Sequence, residues 1–336
     1  MSRPHSADLL LRCAAAVAVL TAVGCSATGP STGPAKASGS GEPFTVGVTT
    51  LFPTGTFAEF AAALKREGPK HDMAFDVQDV GNDAGKESRI MSAFATRKVD
   101  LVVASVVSPT GSVASLRRLQ SSGVPVVCYN TCLGAPQDRQ LARAFVTNDN
   151  MGLGETTGEA AAAYIKDKLG GSAKVAYLTC ETYDVCQQRR KGLEKGLASV
   201  KTEVVASQEG FVVDKATPVA SAILSAHPDV NVILAENEDA VIASANAIKA
   251  RGLTGKTTVF GIGINPTVGR LLLVGDGTVR HTTGQDAASW AAEVIKVADA
   301  VRSGASTGEF DHFTAGPAYT YDDPEPVRRY LSAAGR

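Results

Sequence analysis

The residues best suited to chemistry sit just after apolar, β-branched runs. Thr45–Thr50 is followed by Leu51-Phe52-Pro53-Thr54-Gly55-Thr56-Phe57, and Ser105 falls near the end of Leu101–Val107. Asn130 and Thr131 follow Val124–Tyr129, and Asn148-Asp149-Asn150 follow Ala144–Thr147. Further on, Cys180-Glu-Thr-Tyr-Asp184 leads to Arg189 and Arg190. Asn237 and Glu238 follow Val230–Ala235, Gly263-Ile264-Asn265 follow Thr257–Ile262, and Gln285 follows Thr278–Thr282. Amides, hydroxyls, one or two guanidinium groups and a pair of Phe make a polar set with apolar plates. Such a set suits a neutral, hydroxyl-rich ligand, because planar donors and acceptors take the hydroxyls and aromatic faces take the C–H faces. Two members of the set have a second use: Asp149 and Asn150 also read as helix caps.

Patterns for catalysis or for a resident cofactor are not seen. The five histidines (His5, His71, His227, His281, His312) form no HExxH or close metal-ligand pair, and no G-x-S-x-G occurs. Gly81-Asn-Asp-Ala-Gly85-Lys86 is one residue short of a phosphate loop, with Glu87 in place of Ser or Thr. Gly261-Ile-Gly263 begins a dinucleotide fingerprint but lacks its last Gly. Glu181 and Asp184 are three residues apart on one loop, which places them on one side of a substrate rather than flanking it. The chain is therefore expected to be no enzyme, with no cofactor and no metal.

Four cysteines remain for the folded body: Cys128, Cys132, Cys180 and Cys186. Their spacings, x3 and x5, differ from the x2 pairs of zinc ribbons. Two tight disulfide loops are expected in an oxidising compartment; free thiols and a four-thiolate metal site are the alternatives.

Ten β-branched runs alternate with segments of helical spacing, such as Phe57, Phe60, Ala61 and Leu64 at i, i+3, i+4, i+7. That pattern implies parallel sheets covered on both faces, and the length fits two five-stranded units with a cleft between them. In such sheets ligands bind beyond the carboxyl ends of the strands, where the polar set lies. With 336 residues, 44% apolar, 20% charged and a net charge of −1, the chain is globular and lacks the basic footprint of a nucleic-acid binder.

The first 24 residues read as a secretory signal: Arg3 and Arg12, then apolar Cys13 to Val23, then Gly24-Cys25. Residues 25–43 are dominated by Ser, Gly, Pro, Ala and Thr and read as a flexible tether. Signal, Gly-Cys and tether together resemble a bacterial lipoprotein, which implies lipid on Cys25, although Ala22 stands where Leu is usual.

From Thr147-Asn-Asp-Asn-Met-Gly-Leu-Gly, Arg189-Arg-Lys-Gly-Leu, the stretch from Ala226 to Ala243, Gly261-Ile-Gly-Ile-Asn-Pro and Thr282-Thr-Gly-Gln285, the chain resembles the type I periplasmic binding proteins, specifically the ribose-like sugar-binding family of ABC importers. The resemblance spans about residues 44–310. It implies two Rossmann-like α/β lobes joined by three crossings, near Asp149, Gln285 and residue 309. The lobes are then 44–148 plus about 286–308, and 149–285 plus about 309–336. It further implies ligand contacts from Phe57, Ser105, Asn130, Arg189, Asn237 and Gln285. The family's Asp-Arg pair is Asn130-Thr131 here, and its Asp after Gly-Phe is Gly263, so charge is lost and space is expected to open. The implied partners are a sugar-like ligand, ABC permease subunits, and the outer face of the cytoplasmic membrane through the lipid. A sensor that reports to a receptor kinase is the other reading.

Overall fold

The computed structural model describes residues 43–334; the signal, the tether up to residue 42 and Cys25 lie outside the described residues. Two six-stranded sheets form its frame. The first holds β1 (Phe44–Thr50), β2 (Met73–Asp79), β3 (Leu101–Ala104), β4 (Val126–Tyr129), β5 (Phe145–Asn148) and β11 (Asp311–Thr314), in the order β11-β5-β4-β3-β1-β2. The second holds β6 (Ser172–Thr179), β7 (Lys201–Glu209), β8 (Val232–Ala235), β9 (Thr258–Ile262), β10 (Val279–Thr283) and β12 (Ala318–Thr320), in the order β12-β10-β9-β8-β6-β7. All pairs are parallel except β10 with β12. Every residue of β3, β4, β8 and β9 is buried, as their unbroken apolar or β-branched character requires when helices cover both faces.

The first lobe carries α1 (Gly55–Glu67), α2 (Ala84–Arg97), α3 (Val113–Ser121) and α4 (Gln137–Leu141). The second carries α5 (Asn150–Leu169), α6 (Asp184–Leu197), α7 (Val213–Ala226), α8 (Glu238–Ala250) and α9 (Pro266–Leu273). The chain then returns with α10 (Ala287–Ser303), whose Trp290, Val294 and Ala298 join the first lobe's core beside Phe60 and Tyr129. The rings of Phe60 and Tyr129 stack with centroids 4.2 Å apart. The last helix, α11 (Glu325–Ala334), packs on α9.

Three crossings join the lobes: at Asp149, at residues 284–286, and at residues 315–317 between β11 and β12. The third lies beyond the expected position near 309. Asp311–Thr314 stays with the first sheet because it pairs parallel with β5, Asp311 opposite Phe145 through Thr314 opposite Asn148. Ala315-Gly316-Pro317 supplies the turn. The expected lobe boundary therefore moves, and each sheet gains a strand that the alternating pattern did not reveal.

The closest helix pairing is α5 on α6. Gly154 and Gly158 on α5 face Gly192 and Gly196 on α6, each pair four residues apart and so on one helical face. A Cβ at Gly154 would strike the carbonyl oxygen of Arg189 and lie 2.9 Å from Leu193 N. One at Gly192 would lie 2.7 Å from Glu155 N. Backbone meets backbone here, so no side chain can yield. Gly154→Ala adds about 0.5–1 kcal/mol of helix propensity, but overpacking a rigid contact costs roughly 1–3 kcal/mol. A net loss is expected, read as a lower urea midpoint at unchanged slope; a midpoint equal to or above wild type contradicts this packing.

Candidate ligand-binding site

Between the carboxyl ends of the two sheets lies a cleft of about 280 Å³. The loop after β1 supplies Phe52 and the first turn of α1 supplies Phe57, with ring centroids 6.0 Å apart, and the loop after β4 supplies Asn130 and Thr131. From the second lobe come Tyr183 and Phe211, packed edge to face at 5.7 Å, with Arg189, Asn237 and Glu238. Gln285 enters from the second crossing. Aromatic faces thus stand on both walls with polar groups between them.

Arg189 is the buried cation of the cleft, 3% exposed. Its Nε donates to Asn150 Oδ1 at 2.9 Å and its Nη1 to the Glu236 carbonyl at 2.9 Å. Burial lowers its pKa to about 10, with Glu238 and Glu236 nearby opposing the shift, so it stays charged at neutral pH. Asn150 in turn donates to Thr147 Oγ1 and the Asn148 carbonyl. Of the two candidate caps, Asp149 does the capping, accepting from Gly152 N at 2.9 Å, and Asn150 positions the guanidinium. Arg190 faces elsewhere: it lies 3.5 Å over the Tyr177 ring and pairs with Glu194 and Glu181.

Five of the six expected contacts, Phe57, Asn130, Arg189, Asn237 and Gln285, line this cleft. Ser105 does not. It is fully buried behind the wall, where its hydroxyl bonds Thr131 Oγ1 at 2.9 Å and takes a long bond from Asn130 Nδ2 at 3.4 Å. It supports Asn130, whose φ of 57° is a left-handed conformation Asn tolerates. Asn237 has structural work as well: its Oδ1 caps α8 at Ala240 N and its Nδ2 holds the Phe211 carbonyl at 2.7 Å. Gln285 Nε2 reaches Asn130 Oδ1 at 3.5 Å, joining the second crossing to the first lobe. Asn265 is taken as the cap of α9.

Phe211, Tyr183 and Glu238 went unassigned as contacts. Phe211 follows the end of β7 at Glu209 by two residues, so the same position after a strand could have found it. Tyr183 and Glu238 were visible at strand ends, but their types did not separate them from neighbours. The space expected to open at Gly263 is occupied: a Cβ there would run into Glu238 Oε2.

The sulfurs of the two cysteine pairs lie at bonding distance, Cys128 to Cys132 at 2.08 Å and Cys180 to Cys186 at 1.96 Å. Cys180 and Cys186 lie on the cleft wall. Glu236 sits beside them, its Oε2 accepting from Cys180 N at 2.9 Å while Oε1 meets no protein donor. Elsewhere, Glu87 accepts from Val107 N and Ser112 Oγ, tying down the loop after β3, so the would-be phosphate loop is structural.

Two α/β lobes, three crossings and a polar, aromatic-walled cleft between strand ends have the architecture of a protein that binds a small molecule between its lobes. Residues 46–306 match the family described as periplasmic binding protein domain, and the chain belongs to that family. It is a binding protein rather than an enzyme. It is 36% identical over 181 residues to the ABC transporter periplasmic-binding protein YphF of Escherichia coli (strain K12), covering 53% of this chain and 55% of that protein. The chain thus spans about half the length of this relative. It is 28% identical to the ribose import binding protein RbsB of Bacillus subtilis (strain 168), over 68% of this chain and 73% of that one. Among solved structures, a galactofuranose binding protein superposes with a TM-score of 0.78 at 21% identity, over 88% of this chain and 100% of that chain, a likeness of fold. No helix among the described residues is long and apolar enough to cross a membrane.

Burial pushes the Glu236 carboxyl up to about 8, against a normal value of 4.5. Between those values the folded state holds a proton that the unfolded state has lost, so this group's contribution to stability falls as pH rises from about 4.5 to 8. Glu236→Gln is expected to flatten that decline and to raise the denaturation midpoint at pH 9. Parallel midpoint-against-pH curves for the two proteins contradict the assignment.

Proposed function

We propose that the protein captures a sugar or sugar-like polyol outside the cytoplasmic membrane, closes its lobes on it and delivers it to an ABC permease. The observation that carries this reading is Arg189, a buried guanidinium fixed from behind by Asn150 and Glu236, on a cleft with aromatic faces on both walls. A hydroxyl-rich ring fits such a site, accepting from the guanidinium and packing its C–H faces on Phe. The cleft volume, about 280 Å³, is near the lower end of small-molecule pockets at ~300–1,000 Å³, which favours a single ring over an oligosaccharide. The curated relatives' names, one of them ribose import, point the same way.

The lobes in this reading are 44–148 plus about 286–314, and 149–285 plus the residues after the third crossing. The paired cysteines are disulfides, as an exported compartment permits. Cys25 carries the lipid that keeps the protein at the outer membrane face. Cys25→Ser is expected to move the exported protein from the membrane to the soluble fraction; a wild-type protein that is already soluble after export removes the anchor from the proposal.

Arg189→Ala is expected to weaken ligand by about 10–150-fold, the loss of a charged hydrogen bond of ~1.5–3 kcal/mol. Asn130→Ala removes a neutral partner and is expected to cost ~0.5–1.5 kcal/mol. Calorimetric titration of folded variants against sugars and polyols decides the order. An Arg189→Ala protein that binds as wild type does would leave the cleft without its main anchor and end this reading.

A further inference from the structure

We propose that Glu238 is the specificity-determining acceptor of the cleft, and that it selects a neutral single-ring polyol or sugar against acidic ones. The inference rests on the reading above and names the ligand class of the same site.

Glu238 opens α8 and reaches across the cleft. Two glycines, one from each lobe, make its slot. A Cβ at Gly263, after β9, would run into Glu238 Oε2, and one at Gly55, at the start of α1, would stand 3.0 Å from Oε1. Gly263 has a φ of 91°, where a side chain would be strained in any case. The carboxylate that the end of β9 does not offer therefore comes from the first turn of α8, one step away in space. Thr56 of the opposite lobe donates to Glu238 Oε1 at 3.3 Å. A carboxylate has about four lone-pair sites, so this bond leaves acceptors for a ligand hydroxyl.

The charges of the cleft decide what that ligand is. Among the described residues, Arg189 is the one cation on the lining, against Asp214, Glu238 and Asp239. Asp239 already accepts from Val213 N at 3.3 Å, whereas Glu238 accepts from its own backbone N–H and, across the cleft, takes the long bond from Thr56. Burial raises the Glu238 carboxyl, with Asp239 adding to the rise and Arg189 opposing it. A hydroxyl donor relieves this half-buried acid in either protonation state. A ligand carboxylate brought beside it meets like charge in a place of low dielectric, which costs far more than in water. The bland alternative is that Glu238 serves only the dipole of α8. That role moves the melting temperature and leaves selectivity untouched.

The only tryptophan, Trp290, lines the cleft and gives a fluorescence readout. The full mature protein and its Glu238→Gln variant are titrated by fluorescence and calorimetry with D-ribose, D-allose, D-galactose and myo-inositol, then with D-galacturonate and D-glucuronate. In wild type, the best neutral probe is expected to bind at least about tenfold tighter than either acid. In Glu238→Gln, that neutral probe is expected to lose about 10–150-fold and the gap to the acids to narrow. Glu238→Asp, too short to fill the slot, is expected to lose affinity as well. Melting curves confirm that both variants fold. A Glu238→Gln protein with wild-type affinity and selectivity overturns the assignment, as does an acid that binds wild type as tightly as the best neutral probe. If wild type binds none of the neutral probes, the sugar reading itself falls, and this inference with it.

Discussion

The cleft depends on one interaction, the suspension of the Arg189 guanidinium in a buried place. An unpaired buried charge is costly, so it persists only where hydrogen bonds and opposite charge surround it. Asn150 and the Glu236 carbonyl hold two of its nitrogens, and the Glu236 and Glu238 carboxyls lie close enough to oppose the effect of burial. That geometry exists only because α6 lies on α5 at backbone distance, and that distance exists only because four glycines remove the side chains between them. A change of tenths of an ångström in this helix pair would move the one cation of the site.

The same interaction reaches the hinge. Asn150 donates to Asn148 O, and Asn148 Nδ2 donates to the carbonyl and hydroxyl of Thr314 at 3.2 and 3.0 Å. The first and third crossings are therefore bonded to each other and, through Asn150, to the anchor. Polar contacts also bridge the mouth. Thr56 meets Glu238, Tyr183 OH donates to Asn82 Oδ1 at 3.1 Å, and Tyr330 OH donates to Glu59 Oε1. The Tyr183–Asn82 bond is neutral and contributes ~0.5–1.5 kcal/mol net, while a bond to an ionised carboxylate contributes ~1.5–3 kcal/mol. In the proposed closing motion, a ligand that touches both walls adds contacts of the same kind across the mouth.

Much of the frame was legible because buried strands advertise themselves: β3 and β8 are runs of Val, Ile, Leu and Ala, and β4 and β9 differ only by a Cys and a Tyr, and by a Thr, a Phe and a Gly. The strands that were missed, β11 and β12, are short and half exposed, with Phe313 64% exposed, so no burial pattern marks them. Helix α9 went unassigned although Asn265-Pro266 is a cap followed by Pro at the first position, because Asn265 was noted only as one of the polar residues after a strand. In the site, position after a strand found Arg189, Phe57 and Gln285. It could not rank Ser105 below Thr131, because burial behind a wall and exposure on it follow the same sequence pattern.

Carrying a family's site over by position assumes that each group comes from one place in the chain, and Gly263 shows where that assumption fails. Read by position, the end of β9 has lost a carboxylate and the cleft has grown. Read in space, a Glu at the start of α8 puts a carboxylate into the vacated volume, and Gly55 of the opposite lobe clears the far side for it. The negative charge is thus moved from one strand end to a neighbouring helix start rather than deleted, and its new holder touches both lobes. A hydrogen bond to a charged group contributes ~1.5–3 kcal/mol, so the relocated carboxylate offsets one of the losses counted along the sequence. The change at Asn130-Thr131 has no such replacement among the described residues lining the cleft, where Arg189 is the one cation. The site is therefore richer in acceptors than in charged donors, and that imbalance, more than its size, separates it from a site with two guanidinium groups.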